Sequence, residues 1–328
     1  MSEARLDVAV ERWPIAGGFT ISRGTKTEAV VVVASVTQGG ITGRGECVPY
    51  ARYGETVDGV AESVRAQAGW LAAGGRRADL AAAMPAGAAR NALDAALWAL
   101  EARSAGRPVW ALAGLPEPRP TVTAFTLSLG DPGAMAAAAA RAASRPLLKV
   151  KLGGDGDEER IRAVRAAAPG ATLVVDANEA WTETNLDRHL AACAQAGIAL
   201  IEQPLPAAAD AVLEGFASPV PLCADESFHG RETLDTVARR YAFVNVKLDK
   251  TGGLTEAIEV AKAARERGLG LMVGCMLGSS LAMAPAFLLA PWARFVDLDG
   301  PLLLARDRVP GFAFDGSVMQ PAPAGLWD

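Results

Sequence analysis

The sequence predicts an α/β chain in which a parallel (β/α) barrel follows a smaller α+β unit, and three observations carry that reading. Past Pro116, Pro118 and Pro120, short apolar runs alternate with longer helical stretches, the pattern of a parallel sheet with crossover helices. The residues that end those runs, Lys151, Asp176, Glu202, Asp225, Lys247, Gly274 and Asp297, recur every 22–27 positions, the length of one βα unit. Ahead of this region, strand-like runs are followed by helical ones, the order of an α+β unit.

In the N-terminal unit, strands are predicted over residues 5–12, 28–36 and 41–48 around Gly39-Gly40, and helices over 57–73 and 87–104. Loops at 19–24 and 50–55 read as surface connections unless a pocket lies beneath them. Barrel strands are predicted at 122–127, 147–152, 173–176, 198–202, 221–224, 242–247, 270–274 and 294–298. Helical stretches between them cover 132–143, 158–167, 182–195, 207–217, 231–240, 254–267 and 279–289. The first is Ala-rich, and Ala is the best helix former, so no disorder need be invoked. Residues 300–328 carry no further helix pattern and are expected to return over the N-terminal sheet. The domain boundaries are therefore set at 1–118, 119–300 and 301–328. An open doubly wound sheet could hold eight strands too, but no Gly-rich phosphate fingerprint follows the first of them, and nothing in that fold asks every strand to end in a charge. The carboxyl ends of barrel strands are where active sites sit.

Composition narrows the function. With 51% hydrophobic and 21% charged residues the chain is globular, and its apolar runs are broken well short of the ~20 residues of a membrane span. Membrane and export are not expected. A formal net charge of −5 supplies no basic field for nucleic acid. Cys47, Cys193, Cys223 and Cys275 are scattered without a short-spaced pair, which argues against a disulfide framework or a zinc cluster and for a cytoplasmic protein.

The chemistry is read from strand ends. Lys149 and Lys151 share one face of a strand, either an exposed edge or the inside of a barrel, and the repeat favours the inside. Asp176, Glu202 and Asp225 end three successive strands, and three carboxylates brought together call for a cation. An all-oxygen set points to Mg2+, with Mn2+ as second choice. His189 falls in a helix and reads as a surface residue, whereas His229 lies near the mouth of the barrel. With Lys151 on the second strand and Lys247 on the sixth, the metal site is flanked by two amines on opposite sides. That suits removal of a proton next to a carboxylate and its return from the other face. Such a base needs a lowered pKa, which Lys149 and the metal could supply; Lys149 could instead bind the substrate carboxylate.

The motifs Lys149-Val150-Lys151, Asp176-Ala177-Asn178, Glu202-Gln203-Pro204, Asp225-Glu226-Ser227 and Asn245-Val246-Lys247, followed by Gly252-Gly253, resemble the muconate-lactonising subgroup of the enolase superfamily. The resemblance runs over nearly the whole chain. It implies a modified TIM barrel, (β/α)7β, under an N-terminal α+β capping domain, with Lys151 and Lys247 as acid/base catalysts and Asp176, Glu202 and Asp225 as Mg2+ ligands. Asp297-Leu298-Asp299 resembles the Asp-x-Asp signature of dipeptide epimerases, which implies that these carboxylates bind a dipeptide's ammonium group. By the same resemblance Thr126 and Lys149 contact substrate, Arg23 in Phe19-Thr20-Ile21-Ser22-Arg23-Gly24 meets a side-chain carboxylate, and Cys275 and Met276 belong to the seventh-strand motif. Leu277-Gly278-Ser279 departs from the family in lacking the Glu often found there. The expected activity is epimerisation of a cell-wall dipeptide of the L-Ala-D/L-Glu type. N-succinylamino acid racemase, o-succinylbenzoate synthase and cycloisomerase chemistry, and a ligand-binding barrel without turnover, are the alternatives. The expected partner is a small dipeptide, and the sequence is compatible with a homo-oligomer.

Overall fold

The computed structural model describes residues 3–328. Three antiparallel strands open the chain: β1 (Arg5–Ile21), β2 (Gly24–Gln38) and β3 (Ile41–Cys47), in the order β1-β2-β3. The first two strands are longer than predicted. Their hairpin extends through Phe19↔Lys26 and Ile21↔Gly24 past an irregularity between Pro14 and Phe19. The helix Ala88–Ala105 crosses this sheet, and its many alanines follow from burial on both sides. Ala88, Ala92 and Ala96 pack with the sheet core, while Ala95, Ala99 and Ala102 join the core shared with the barrel. Gly43 and Gly45 permit that approach: a Cβ at either would lie 2.1 Å from a carbonyl oxygen of the helix. The predicted helix over 57–73 is two pieces, Val57–Arg65 and Ala68–Ala72.

Strand β4 (Thr121–Val122) precedes the barrel strands β5 (Phe125–Leu127), β6 (Leu147–Lys151), β7 (Thr172–Asp176), β8 (Leu200–Glu202), β9 (Leu222–Ala224), β10 (Phe243–Val246), β11 (Gly270–Gly274) and β12 (Phe295–Asp297). These eight are parallel and sequential, from β5 to β12. Ala124 N donates to Val296 O (2.8 Å) and Leu298 N to Thr123 Oγ1 (2.9 Å), linking the first strand to the last. The first predicted strand is thus divided. Thr121–Val122 leaves the barrel and pairs antiparallel with β14 (Val318–Met319), which pairs with β13 (Phe314–Asp315).

Two predicted helices differ. Residues 207–217 form only the 3-10 turn Asp210–Leu213, because the buried Asp210 carboxylate is tied to Ser227, Arg240 and Tyr241 and Gly215 turns the chain at φ +73°. Residues 231–240 shrink to Arg231–Thr233 and Leu234–Val237. The last segment holds one helical turn, Gly300–Leu303, absent from the sequence reading, and then runs back to the N-terminal unit. Leu304 bridges Ile15, Arg308 pairs with Glu11 and Glu46, and the Trp327 indole donates to Ala95 O. Among the described residues no helix is long and apolar enough to cross a membrane.

Candidate active site

Beneath the site lies an apolar plug inside the barrel. Ala124, Leu147, Val174, Leu200, Cys223, Met272 and Phe295 form one buried cluster, one residue from each successive strand region, with Phe243 packed against it. On a strand, residues two apart share a face. Two positions above the plug therefore stand Thr126, Lys149, Asp176, Glu202, Asp225, Asn245, Gly274 and Asp297, and two above some of these stand Lys151, Lys247, Met276 and Asp299. The polar residues of this set are nearly all enclosed: Lys149 is 2% exposed, and Asp176 and Glu202 are fully buried.

The lysines and carboxylates interlock. Lys149 Nζ lies 2.7 Å from Asp297 Oδ2, 2.6 Å from Glu202 Oε2 and 3.3 Å from Asp176 Oδ2. Lys151 Nζ is 2.6 Å from Asp176 Oδ2, and Lys247 Nζ is 2.6 Å from Asp225 Oδ2. Glu202 Oε1 accepts from Asn245 Nδ2 at 2.7 Å. The approach of Lys149 to Glu202 Oε2 is off the line of a hydrogen bond, so that buried oxygen has no hydrogen-bond partner. Burial opposes charge on Asp176, Glu202, Asp225, Lys149 and Lys247. For Asp176 and Asp225 the neighbouring ammoniums outweigh it and hold the carboxyls below their ordinary range. For Glu202 burial, reinforced by Asp176, prevails and raises the carboxyl to about 6. Burial likewise lowers the affinity of Lys149 and Lys247 for their protons, but Asp297 and Glu202 around the first and Asp225 beside the second reverse the effect and keep both firmly protonated.

Among the described residues no three His, Cys, Asp or Glu side chains are grouped as metal ligands, because ammonium groups stand between the carboxylates. The donor set nevertheless fits a hard divalent cation. Asp176, Glu202 and Asp225 are all-oxygen donors on three adjacent strands, and Glu202 presents an oxygen without a hydrogen bond. Neither Cys223 nor Cys275 is suited to a softer metal, since burial pushes both thiols far above their usual pKa.

A cavity of about 500 Å3 opens above this floor. Lys149, Lys151, Asp225 and Lys247 reach it from below, and Thr126, Cys275, Met276, Asp297 and Asp299 line one side. Thr126 N donates to Asp299 Oδ2 at 2.6 Å, and burial with the neighbouring Asp297 charge raises the Asp299 carboxyl to about 7. The roof comes from the N-terminal unit. Phe19, Ile21, Arg23, Lys26, Tyr50 and Arg52 line it, so the two loops that read as surface connections cover the barrel mouth.

Arg23 reaches the cavity, but its terminal nitrogens are engaged by protein. Nη1 donates to Asn178 O (3.0 Å), and Nη2 to Tyr50 Oη (2.9 Å) and Glu226 Oε1 (2.8 Å). His229 is outside the cavity, its Nε2 3.1 Å from Glu226 O and its ring edge-on to Tyr53. His189 is a correction: it is buried, not on the surface, stacked on Trp181 with ring centroids 4.7 Å apart. Its helix turns that face toward the neighbouring helix Asp157–Ala167, and Nδ1 lies 3.5 Å from Glu158.

Sequence reasoning missed three supporting residues. Gln203 accepts Asp225 N (2.9 Å) and Ser227 N (3.0 Å) on its side-chain oxygen and donates to Leu205 O, Ser227 and Tyr241. Lys250, fully enclosed, donates to both Oδ1 and the backbone oxygen of Asp225 at 2.6 Å. Glu226 anchors Arg23. The signal for the first was its place directly after a strand-end carboxylate. Asn178, Glu179 and Gln203, just past Asp176 and Glu202, are the non-glycine residues with positive φ among the described residues (45°, 66° and 34°), a strain that clusters where function over-determines the backbone.

Residues 3–114 match the N-terminal domain of mandelate racemase / muconate lactonizing enzyme, and residues 134–300 match the enolase C-terminal domain-like family. An L-Ala-D/L-Glu epimerase of Escherichia coli is 47% identical over 93% of this chain and 95% of its own length. An N-acetyl-D-glutamate racemase of Pseudoalteromonas is 43% identical over 90% and 95%. An enolase family member from Agrobacterium tumefaciens with homology to dipeptide epimerases, solved with sodium and L-Ala-L-Glu, superposes with a TM-score of 0.97 at 52% identity, covering 99% of this chain and 100% of that one. A dipeptide epimerase from Methylococcus capsulatus, complexed with Mg and L-Arg-D-Lys, gives 0.91 at 30% identity over 100% and 99%.

Proposed function

The chain belongs to the mandelate racemase / muconate lactonizing enzyme family of the enolase superfamily, and on that premise we propose that it is an epimerase inverting the α-carbon of the C-terminal residue of a dipeptide, of the L-Ala-D/L-Glu type. The observation that carries this reading is that Lys151 and Lys247, four strands apart in the ring, both reach one cavity whose far wall holds Asp297 and Asp299.

In this reading Asp176, Glu202 and Asp225 hold Mg2+, with Mn2+ as a substitute. When bound, the cation supplies positive charge against the three carboxylates and stabilises the negative charge that develops on the substrate carboxylate. Were Asp176 and Asp225 engaged by the cation, Lys151 would be released from its ion pair with Asp176, and Lys247 would lose the Asp225 charge that holds its proton. One lysine takes the α-proton while the C–H electron pair moves into the substrate carboxylate, giving a planar enediolate. The other lysine returns a proton to the opposite face. Lys149, set between Glu202 and Asp297, keeps the floor positive for the substrate carboxylate, and Asp297 and Asp299 receive the dipeptide's ammonium group beside Thr126. Cys275 and Met276 form the neighbouring wall. We place the reaction on peptides derived from the cell wall and in the reducing cytoplasm. A relative named for the L-Ala-D/L-Glu dipeptide fits the first, and four free cysteines support the second.

The relative acting on N-acetyl-D-glutamate marks the competing reading, a substrate without a free amine. Proton NMR in D2O with the Mg2+-loaded enzyme separates them. L-Ala-L-Glu should exchange its C-terminal α-proton and epimerise faster than N-acetylglutamate, and the reverse order would overturn the dipeptide assignment.

A further inference from the structure

The two acid/base lysines are anchored by different parts of the molecule. Lys247 follows β10 and caps the single helical turn Leu248–Thr251, and its carbonyl accepts from Lys250 N (3.0 Å) and Thr251 N (3.1 Å). That turn is gripped from the N-terminal unit. Asp249 Oδ1 accepts from Asn91 Nδ2 at 2.8 Å and from Val48 N, just past β3, at 3.2 Å. Arg90, the residue before Asn91 on the helix Ala88–Ala105, fixes the other end of the turn by donating to Thr251 O (2.7 Å) and Gly252 O (3.1 Å). Lys151 is held otherwise. The chain after it is fixed by Asp157, whose carboxylate accepts from Gly153 N (3.1 Å), Gly154 N (2.8 Å) and the Trp181 indole (2.8 Å), all of them barrel residues. The segment beyond Lys247 is thus tied to the N-terminal unit, and the one beyond Lys151 to the barrel.

Asn91 stands out on its helix. It is 2% exposed, has Ala88, Ala92 and Ala95 as helix neighbours, and keeps a buried Oδ1 with no hydrogen-bond partner. A buried acceptor left unpaired carries a desolvation cost, so the bond to Asp249 is what this amide supplies that an apolar residue would not. Asp249 is enclosed as well, and burial pushes its carboxyl up to about 7, which makes a neutral amide a close substitute for it. Neither Asn91 nor Asp249 is among the described residues that line the reaction cavity. Any effect they have on the chemistry passes through the turn that Lys247 caps.

We propose that Asp249, held by Asn91, is a positioning residue for Lys247 and leaves Lys151 untouched, so that the helix Ala88–Ala105 sets the aim of one base of the pair. A reacting group displaced by about 1 Å loses about a hundredfold in rate. The inference rests on the epimerase reading and deepens it: the two faces of the substrate carbon depend unequally on how the N-terminal unit is seated on the barrel.

The test follows α-proton exchange in D2O by the full-length, Mg2+-loaded enzyme, offered L-Ala-L-Glu and L-Ala-D-Glu separately. Lys247→Ala and Lys151→Ala identify the diastereomer that each lysine deprotonates. Asp249→Ala and Asn91→Ala should each lower kcat for exchange of the Lys247 diastereomer by about ten- to a hundredfold. Exchange of the Lys151 diastereomer should stay within about twofold of the wild type, which also reports an intact fold. Epimerisation should slow in both directions, because each direction uses both lysines. Asp249→Asn still offers an oxygen to Asn91 and Val48 N and should restore most of the loss. Asn91→Ala keeps the carboxyl and its Val48 bond, and it decides the matter where Asp249→Ala is too unstable to assay. In Asn91→Ala, equal losses on the two diastereomers, or exchange of the Lys247 diastereomer within about twofold of the wild type, would overturn the assignment. If the wild type exchanges both diastereomers and Asn91→Ala gives either of those results, this inference alone falls; if the wild type exchanges neither, the epimerase reading falls and takes the inference with it.

Discussion

Lys247 Nζ rests 2.6 Å from Oδ2 of Asp225, the residue just past the neighbouring strand β9, and Lys151 Nζ lies at the same distance from Oδ2 of Asp176 at the end of its own neighbour, β7. Each proposed acid/base group is thus held by a proposed metal ligand. Lys247, so held, keeps its proton and cannot act as a base at neutral pH. Activity is therefore expected to vanish on treatment with a chelator and to return with Mg2+ or Mn2+ but not with Zn2+, checked by epimerisation assays on dialysed enzyme.

Asp297 and Asp299 should discriminate between substrates. Replacing both by Asn is expected to lower kcat/KM for L-Ala-L-Glu by about ten- to a hundredfold, the value of a hydrogen-bonded charge, and to change N-acetylglutamate turnover much less. Parallel kinetics on the two substrates provide the measurement, and equal losses would remove these carboxylates from the ammonium site.

Gln203 supports Asp225 from behind. Its side-chain oxygen satisfies two buried backbone donors, Asp225 N and Ser227 N. Gln203→Ala should cost about 2–6 kcal/mol in urea unfolding, since each of the two orphaned donors is worth about 1–3 kcal/mol. It should also raise the Mg2+ concentration needed for half-maximal activity.

Away from the barrel mouth, Asp94 of the helix Ala88–Ala105 accepts from Thr255 N and the Thr255 hydroxyl, on the helix that follows Gly252-Gly253. Burial raises its carboxyl from 3.8 to about 6 despite those hydrogen bonds. A carboxyl raised on folding binds its proton more tightly in the native state. Its contribution is complete below pH ~4 and is lost as pH rises through ~6, a loss of about 3 kcal/mol by pH 7. Asp94→Asn should flatten that portion of the stability profile relative to the wild type, read from unfolding midpoints across pH 4–8.

Much of the site was legible because a barrel strand has a period of two and a βα unit a narrow length. Lys149, Asp176, Glu202, Asp225 and Asp297 stand two residues above plug residues of their own strands, and that spacing is visible in the chain. What was not legible depends on contacts between distant segments. Arg23 meets Glu226 across 203 positions, and no local pattern announces that its nitrogens are engaged. His189 looked exposed because its helix is rich in polar residues, yet its face is covered by Trp181. The 207–217 stretch has helical composition, but Asp210 is drawn to Tyr241 and Arg240 instead. The first barrel strand was misjudged because Thr121–Val122 pairs with a segment some two hundred residues later.

The central claim is that two lysines serve opposite faces of one carbon. The direct measurement is α-proton exchange in D2O by Lys151→Ala and Lys247→Ala, each offered L-Ala-L-Glu and L-Ala-D-Glu and followed by NMR. Both variants should lose epimerisation by about a hundredfold or more, and each should retain exchange with only one of the two diastereomers, the opposite one for each variant. Wild-type epimerisation by either variant, or exchange of the same diastereomer by both, would contradict the two-base account.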